Sequence, residues 1–466
     1  MGLKHLLPVA CAALAVTLAP PAGAETTAQI MPATIKMLSH AVSVRTAQGN
    51  GKVPELAKYF ADKLKAAGFD AADIKIIPVG ETAALTVRYQ GTNDAAPIVI
   101  IGHMDVVPAP NAKAWKYPPF ELTKANGSYY GRGVADMKGS VVTLVQTFMR
   151  LKREGFQPER TIVMALTGDE ETNEFTIQKV AERYKNADFL LDAEGGGGVT
   201  DAHGNPVMYG VEAAEKGYTD FLLTTTSPGG HSSEPSAEHN AINRLSAALD
   251  RIAAYHFPVR HNEVSLTTLR TMAEHRPQGE LTKAMRVFAA NPDDASAAKV
   301  LTHDRSTVGL IRTTCIATEL DAGHARNALP EKATANINCR VFPGATIKQV
   351  KNALIKVIDD DSVKITRRPP KQPPGPISKP RPDVMKVITA TVHERYPKLE
   401  VVPMMIGAST DMKYTRLAGI PSYGIGPFFV NFTQVHAHGI NEQLPAGEIK
   451  HGLDFWHSLI PRLGKL

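Results

Sequence analysis

The sequence predicts an α/β protein interrupted by a smaller α+β unit, and three observations carry that prediction. Short, wholly apolar runs at 97–102, 161–167 and 189–193 read as strands buried on both faces of a parallel or mixed sheet. Helix-like stretches separate them, the alternation from which α/β folds are built. After about Val211 the pattern changes to strands with one wet face, and after a proline-rich stretch it changes back.

In chain order, the apolar spacing at 33–44 and 54–67 is helical; Pro54 suits a first turn and Gly68 the position just past a last one. Residues 73–79 and 83–89 read as short strands, 137–153 as an amphipathic helix and 176–185 as another helix. In the middle unit 218–226 alternates as a half-exposed strand should, 241–255 is an amphipathic helix, and 308–320 and 333–342 are strands. Between them 270–306 is polar and helix-like, and reads as an insertion. Seven prolines within 367–382 predict a stiff, extended linker. A helix at 383–396, strands at 401–406 and 420–425 and a helix from Gly447 restore the α/β pattern. The expected organisation is therefore a leader at 1–24, an α/β domain in two parts, 25–213 and 375–466, and an inserted unit at 214–374.

Composition excludes several classes. Of 466 residues, 43% are hydrophobic and 21% charged, which rules out disorder, collagen and coiled coil. Lys and Arg number 52 against 46 Asp and Glu, but no basic tract forms, so no nucleic-acid partner is expected. At the N-terminus Lys4 leads an apolar stretch of about 14 residues, too short to span a bilayer, and Ala22-Gly23-Ala24 offers a small-x-small cleavage site. That is the pattern of a signal peptide, and it predicts a secreted or periplasmic protein cleaved near Ala24, with no stable membrane span. Cys11 leaves with the leader. Cys315 and Cys339 remain, either paired in an oxidising compartment or as two small buried thiols, because directly opposed cross-strand disulfides are strained.

Five motifs carry chemistry. Gly102-His103-Met104-Asp105 ends a buried strand, where ligands bind in open α/β sheets. His103 and Asp105 form either a structural pair or an imidazole whose tautomer the carboxylate fixes. Asp136 lies in the glycine-rich Gly131-Arg-Gly-Val-Ala-Asp136-Met-Lys-Gly139, as a helix cap or as a functional carboxylate. Gly168-Asp169-Glu170-Glu171 crowds three anions at another strand end, which is costly without a cation nearby. Asp192-Ala-Glu194-Gly and His436-Ala-His438-Gly-Ile-Asn-Glu442 complete the set. No Gly-x-Ser-x-Gly elbow and no His-Glu-x-x-His helix occurs, which disfavours serine hydrolases and zincins.

In order and spacing these motifs resemble those of the M20 metallopeptidases, the group of carboxypeptidase G2, succinyl-diaminopimelate desuccinylase, aminoacylase-1 and the carboxypeptidase S enzymes. The resemblance implies a mixed-sheet zinc-peptidase catalytic domain with an inserted α+β lid. It also implies two Zn²⁺ per subunit, with Co²⁺ or Mn²⁺ as substitutes. Asp136 would bridge the ions, His103 and Glu194 would complete one site, and Glu171 and His438 the other. Asp192 competes with Glu194 for its place, and His436 with His438. Glu170 would be the general base for a metal-bridging hydroxide attacking an amide, Asp105 would orient His103, and the Asp136-Met137 peptide would be cis. In the lid, His231 would stabilise the oxyanion across a homodimer, and Asn327 and Arg340 would bind the substrate carboxylate. Gly407 would belong to the substrate loop. The substrate expected is a peptide or an N-acyl amino acid with a free carboxylate; a non-peptide amide conjugate and a non-catalytic binding protein on the same fold are the alternatives.

Overall fold

The computed structural model describes residues 25–236, 240–369 and 373–466. The expected leader, with its cleavage site near Ala24 and Cys11, lies outside them. The first helix, Thr27–Ser43, opens on a capping box in which Thr26 accepts the Gln29 amide and Gln29 accepts that of Thr26. The second, Val53–Ala66, has Pro54 in its first turn, and Gly68 follows it in a left-handed conformation, as the sequence predicts.

The large sheet runs in the order Ile74–Val79, Thr82–Tyr89, Ile162–Thr167, Ile98–His103, Phe189–Asp192, Ser422–Gly424, Pro206–Glu215, Gly197–Thr200, Phe429–Val430, with Val401–Ile406 also paired to Pro206–Glu215. It is mixed, and its centre is parallel. Period-two alternation explains why its central strands are apolar throughout. Ile98 and Ile100 pack with the helices Thr27–Ser43, Val53–Ala66, Lys138–Arg153 and Ala446–Leu463, while Val99 and Ile101 face the helices Phe175–Arg183 and Met412–Leu417. The parallel register sets His103 beside Thr167 and Ile101 beside Asp192, so three strand ends open onto one place.

The small sheet is antiparallel, in the order Thr314–Ala322, Lys332–Val341, Gly217–Thr226, Lys364–Arg367. Its buried face takes Phe221, Leu223, Ala335, Ile337 and Val341 against the helices Ala241–Ala254 and Ile347–Ile358, which matches the expected alternation.

Three expectations need correction. Residues 308–320 are not one strand: Val308–Ile311 is a helical turn that buries Leu310 and Ile311 in the core of the large sheet, and the strand begins at Thr314. The strand Pro206–Glu215 was not foreseen, and it carries the large sheet two residues past 213. Nor does everything between 214 and 374 go with the small sheet. The helices Glu263–Glu274, Glu280–Ala290 and Ala295–Thr302 send Leu269, Phe288 and Leu301 into the large core, and the Met405 amide donates to Thr268 Oγ1 at 2.8 Å. The first of them, Glu263–Glu274, packs against Val401–Ile406, a strand that among the described residues pairs with Pro206–Glu215 alone.

Cys315 and Cys339 stand directly opposite one another on neighbouring strands and form a disulfide, which resolves the alternative the sequence left open. The bond closes a sequence separation of 24 residues, which in the chain-entropy account stabilises by about 3 kcal/mol. Cys339→Ser, or reduction of the native chain, should lower the urea unfolding free energy of the small sheet by that order; an unchanged midpoint with and without reductant would contradict it.

Candidate metal centre

Each ligand candidate is positioned by a strand end or by a turn that a strand end braces. His103, the last residue of its strand, is 1% exposed. Its Nδ1 lies 3.1 Å from the Asp105 main-chain oxygen and 3.5 Å from Asp105 Oδ1. That leaves Nε2 facing Asp136 Oδ1 at 3.1 Å and Glu194 Oε2 at 3.5 Å. The Asp105 carboxylate also accepts the amides of Glu170 and Glu171, at 3.2 and 3.1 Å, so one strand-end loop fixes the next. The turn before Asp136 requires glycine: Gly133 has φ +83°, and a Cβ there would lie 2.6 Å from Val106 Cγ1. The Asp136-Met137 peptide is cis.

From the C-terminal segment His438 points Nε2 at Glu171 Oε2 (3.0 Å) and Asp136 Oδ2 (3.1 Å). The two oxygens of Asp136 thus face two different imidazoles, each of which has a further carboxylate beside it. The structure brings together His103, Asp136, Glu171, Glu194 and His438. Potential ligand atoms of His103, Glu170 and Glu194, and of His103, Asp136 and Glu171, fall within 4.8 Å of one another. It also separates the competitors. Asp192 makes no ion pair with His103 among the described residues, and both its buried oxygens lack a hydrogen-bond partner there. His436 shares the His438 loop but faces none of these carboxylates at ion-pair distance, whereas His438 faces two.

The electrostatics of this cluster suit a cation. Burial, and then the Glu194 charge, push the Glu170 carboxyl well above its ordinary range. Burial would raise Asp136 too, but hydrogen bonds from His103 and His438 hold it low. Hydrogen bonds to Asp136 and Glu171 push His438 up to about 10. A set of imidazoles and carboxylates, anionic in sum and with unpartnered buried oxygen next to it, fits divalent zinc.

Residues 99–462 match the sequence model described as Peptidase family M20/M25/M40. The chain belongs to that family. Its similarity to the protein named probable carboxypeptidase S-like 2 of Dictyostelium discoideum is 28% identity over 403 residues, 82% of this chain and 75% of that one. To the mouse N-fatty-acyl-amino acid synthase/hydrolase PM20D1 it is 29% over 374 residues, 77% and 72% of the two chains. Among solved structures it resembles the M20 metallo-carboxypeptidase Sso-CP2 of Sulfolobus solfataricus, at TM-score 0.71 and 17% identity over 92% of this chain and 99% of that one. It also resembles human carnosine dipeptidase 1, at TM-score 0.67 and 15% identity over 94% and 98%. At such identities the structures support the fold, and the family makes the chain a hydrolase of a metal-dependent peptidase class.

In this M20 peptidase the four remaining site candidates fall into two groups. Arg340 lies opposite Tyr218, its guanidinium 4.9 Å from that ring, and burial lowers its pKa. Gly407 follows the strand Val401–Ile406, and the next residue, Ala408, accepts the Lys216 amide at 3.2 Å. Among the described residues nothing would meet a Cβ at Gly407 within 4 Å, so the space above it is open to them. These two share the end of the small sheet nearest the large one. His231 and Asn327 are exposed and share the other end, where Ser232 donates to the Asn327 carbonyl at 3.1 Å. The strand Gly217–Thr226 lies between the groups, roughly 30 Å at about 3.3 Å per residue. Within one chain His231 does not reach the ligand cluster.

Two buried residues, Arg132 and Glu442, stand in the motifs that carry Asp136 and His438 and form an ion pair, although the sequence gives them no role. Their signal was available: a charged residue inside a glycine-rich turn and another four residues after His438.

Proposed function

We propose that this chain is an exported dizinc amide hydrolase acting on a peptide or N-acyl amino acid that carries a free carboxylate. The observation that carries the reading is Asp136, which presents one oxygen to the His103 and Glu194 pair and the other to the His438 and Glu171 pair. Zinc bound there would supply Lewis acidity and a water nucleophile available at neutral pH. The chain's own residues do the rest. Glu170 belongs to neither pair, and its raised carboxyl can take a proton from the nucleophile and pass it to the leaving amine. Asp105 holds His103 in one tautomer while fixing the Glu170 and Glu171 backbone. Arg340 offers a guanidinium fork to the substrate carboxylate.

His231 and Asn327 are read as serving a second copy, since in their own chain they are too distant. Support for that pairing comes from Thr314–Ala322, the outer strand of the small sheet, which is open on one side and exposes Ile316 and Leu320 at 67% each. Catalytic parts at 25–213 and 375–466 around an inserted unit at 214–374 remain the proposed organisation, with the helices at 263–302 attached to the catalytic core. Export is supported by the leader pattern at 1–24 and agrees with a disulfide, which persists in oxidising compartments. No helix among the described residues is long and apolar enough to cross a membrane. The substrate class is supported by relatives named for carboxypeptidase and N-fatty-acyl-amino acid hydrolase activity.

The test is amine release from a panel of dipeptides and N-acyl amino acids. Activity should vanish with a chelator and return with zinc or cobalt; hydrolysis indifferent to chelation would overturn the reading. In the same assay Arg340→Ala should raise KM for carboxylate substrates about 10- to 100-fold with a smaller change in kcat, the pattern of lost ground-state binding. An unchanged KM would remove Arg340 from the substrate site.

A further inference from the structure

Arg132 is 3% and Glu442 0% exposed, and they form an ion pair with Nη1 to Oε2 at 2.6 Å. A buried ion pair is rarely worth more than a well-packed apolar pair, so its presence asks for another reason. Its remaining hydrogen bonds supply one. Glu442 Oε2 accepts the Gly133 amide at 3.0 Å, and Oε1 accepts the amides of Ala135 (3.0 Å) and Asp136 (3.1 Å). Arg132 Nη2 donates to the main-chain oxygens of His438 (3.2 Å) and Gly439 (3.0 Å). One pair therefore grips the backbone of two ligand residues that are far apart in sequence.

The His438 loop needs such a grip. His438 has a 55% exposed side chain, so packing does not hold it. His436, His438 and Asn441 all have positive φ, at 52°, 62° and 56°, a conformation that residues with a side chain keep mainly where surroundings impose it. The other half of the cluster is held differently, with His103 fixed by strand register and by Asp105.

We propose that Arg132 and Glu442 are positioning residues that set the separation of Asp136 and His438, and that Arg132 acts selectively on the cation site of His438 and Glu171. The inference rests on the dizinc reading. Lysine in place of Arg132 keeps a charge beside Glu442 but cannot fork to two carbonyls. Glutamine in place of Glu442 removes the charge paired with Arg132 and sets an amide donor either against Arg132 and the Gly133 amide or against the amides of Ala135 and Asp136, which loosens the turn that carries Asp136, the ligand common to both sites.

The full chain, stripped of metal, is titrated with zinc against a competing chelator, and thermal unfolding of the stripped protein checks folding. Wild type should bind two zinc ions. Arg132→Lys should weaken one site about 10- to 100-fold, the usual cost of losing a residue that orients a ligand, and leave the other unchanged; Glu442→Gln should weaken both. If Glu442→Gln fails to fold, Arg132→Lys decides. Two unchanged sites in Arg132→Lys, or two equally weakened ones, would overturn the selective clamp alone. A wild type that does not bind two zinc ions would overturn the dizinc reading and the clamp with it.

Discussion

Glu170→Ala should keep two zinc ions per chain and lose turnover by about 10²- to 10⁴-fold, the usual contribution of a positioned general acid or base. The argument is one of position. His438 faces Glu171 and Asp136, and His103 faces Asp136 and Glu194, so neither imidazole depends on Glu170. Glu170 nonetheless lies within the ring of atoms that includes His103 and Glu194, close enough to exchange a proton with a water held there. Burial and the Glu194 charge push its carboxyl above the ordinary carboxylate range. Removing the side chain leaves the Glu170 amide bonded to Asp105, and the loop stays in place. Metal content by elemental analysis and kcat measured on the same preparation test the claim. Wild-type turnover in the variant would remove Glu170 from the mechanism, and lost zinc would make it a ligand.

Asp136→Ala should instead empty the centre. Its two oxygens serve both halves, so their loss leaves His103 with Glu194 and His438 with Glu171, two ligands each where zinc sites use three or four. Zinc should fall below one per chain after dialysis, and hydrolysis should fall to background. Misfolding is separable from this outcome, because the Asp136 charge works against its neighbour Glu171, and its removal relieves that crowding in the stripped chain. Two zinc ions retained by the variant would show that the carboxylate bridges nothing.

Much of this was legible in the sequence because the central strands are buried on both faces. Such strands are apolar throughout, and their ends mark themselves where a His or a carboxylate follows the apolar run. His103, Glu171 and Glu194 could be read in that way. The choice between Asp192 and Glu194 could not, since it depends on register: Asp192 is still within the strand and paired beside Ile101, while Glu194 has left it and turned towards His103. Phe429–Val430 and Ala328–Leu329, at two residues each, are too short to show any period. The return of the 263–302 helices to the large core was hidden for another reason. An amphipathic helix states that it has an apolar face without stating which surface will cover it. Arg132 and Glu442 were invisible as a pair because only folding brings them together.

The order of strands in the large sheet also constrains how the molecule comes into being. Phe189–Asp192 lies against Ser422–Gly424, about 230 residues later in the chain, and Pro206–Glu215 lies against Val401–Ile406. The small sheet, whose strands span 217–367, has all its partners before those later strands exist. A chain growing from its N-terminus can thus complete the small sheet while the large one still lacks three of its ten strands. Closure waits for the helix Ala446–Leu463, which buries Trp456, Leu459 and Ile460 in the large core, and for the loop that delivers His438. The five ligand candidates first meet only after His438 has been made, so removal of the helix Ala446–Leu463 should cost the centre as surely as loss of a ligand.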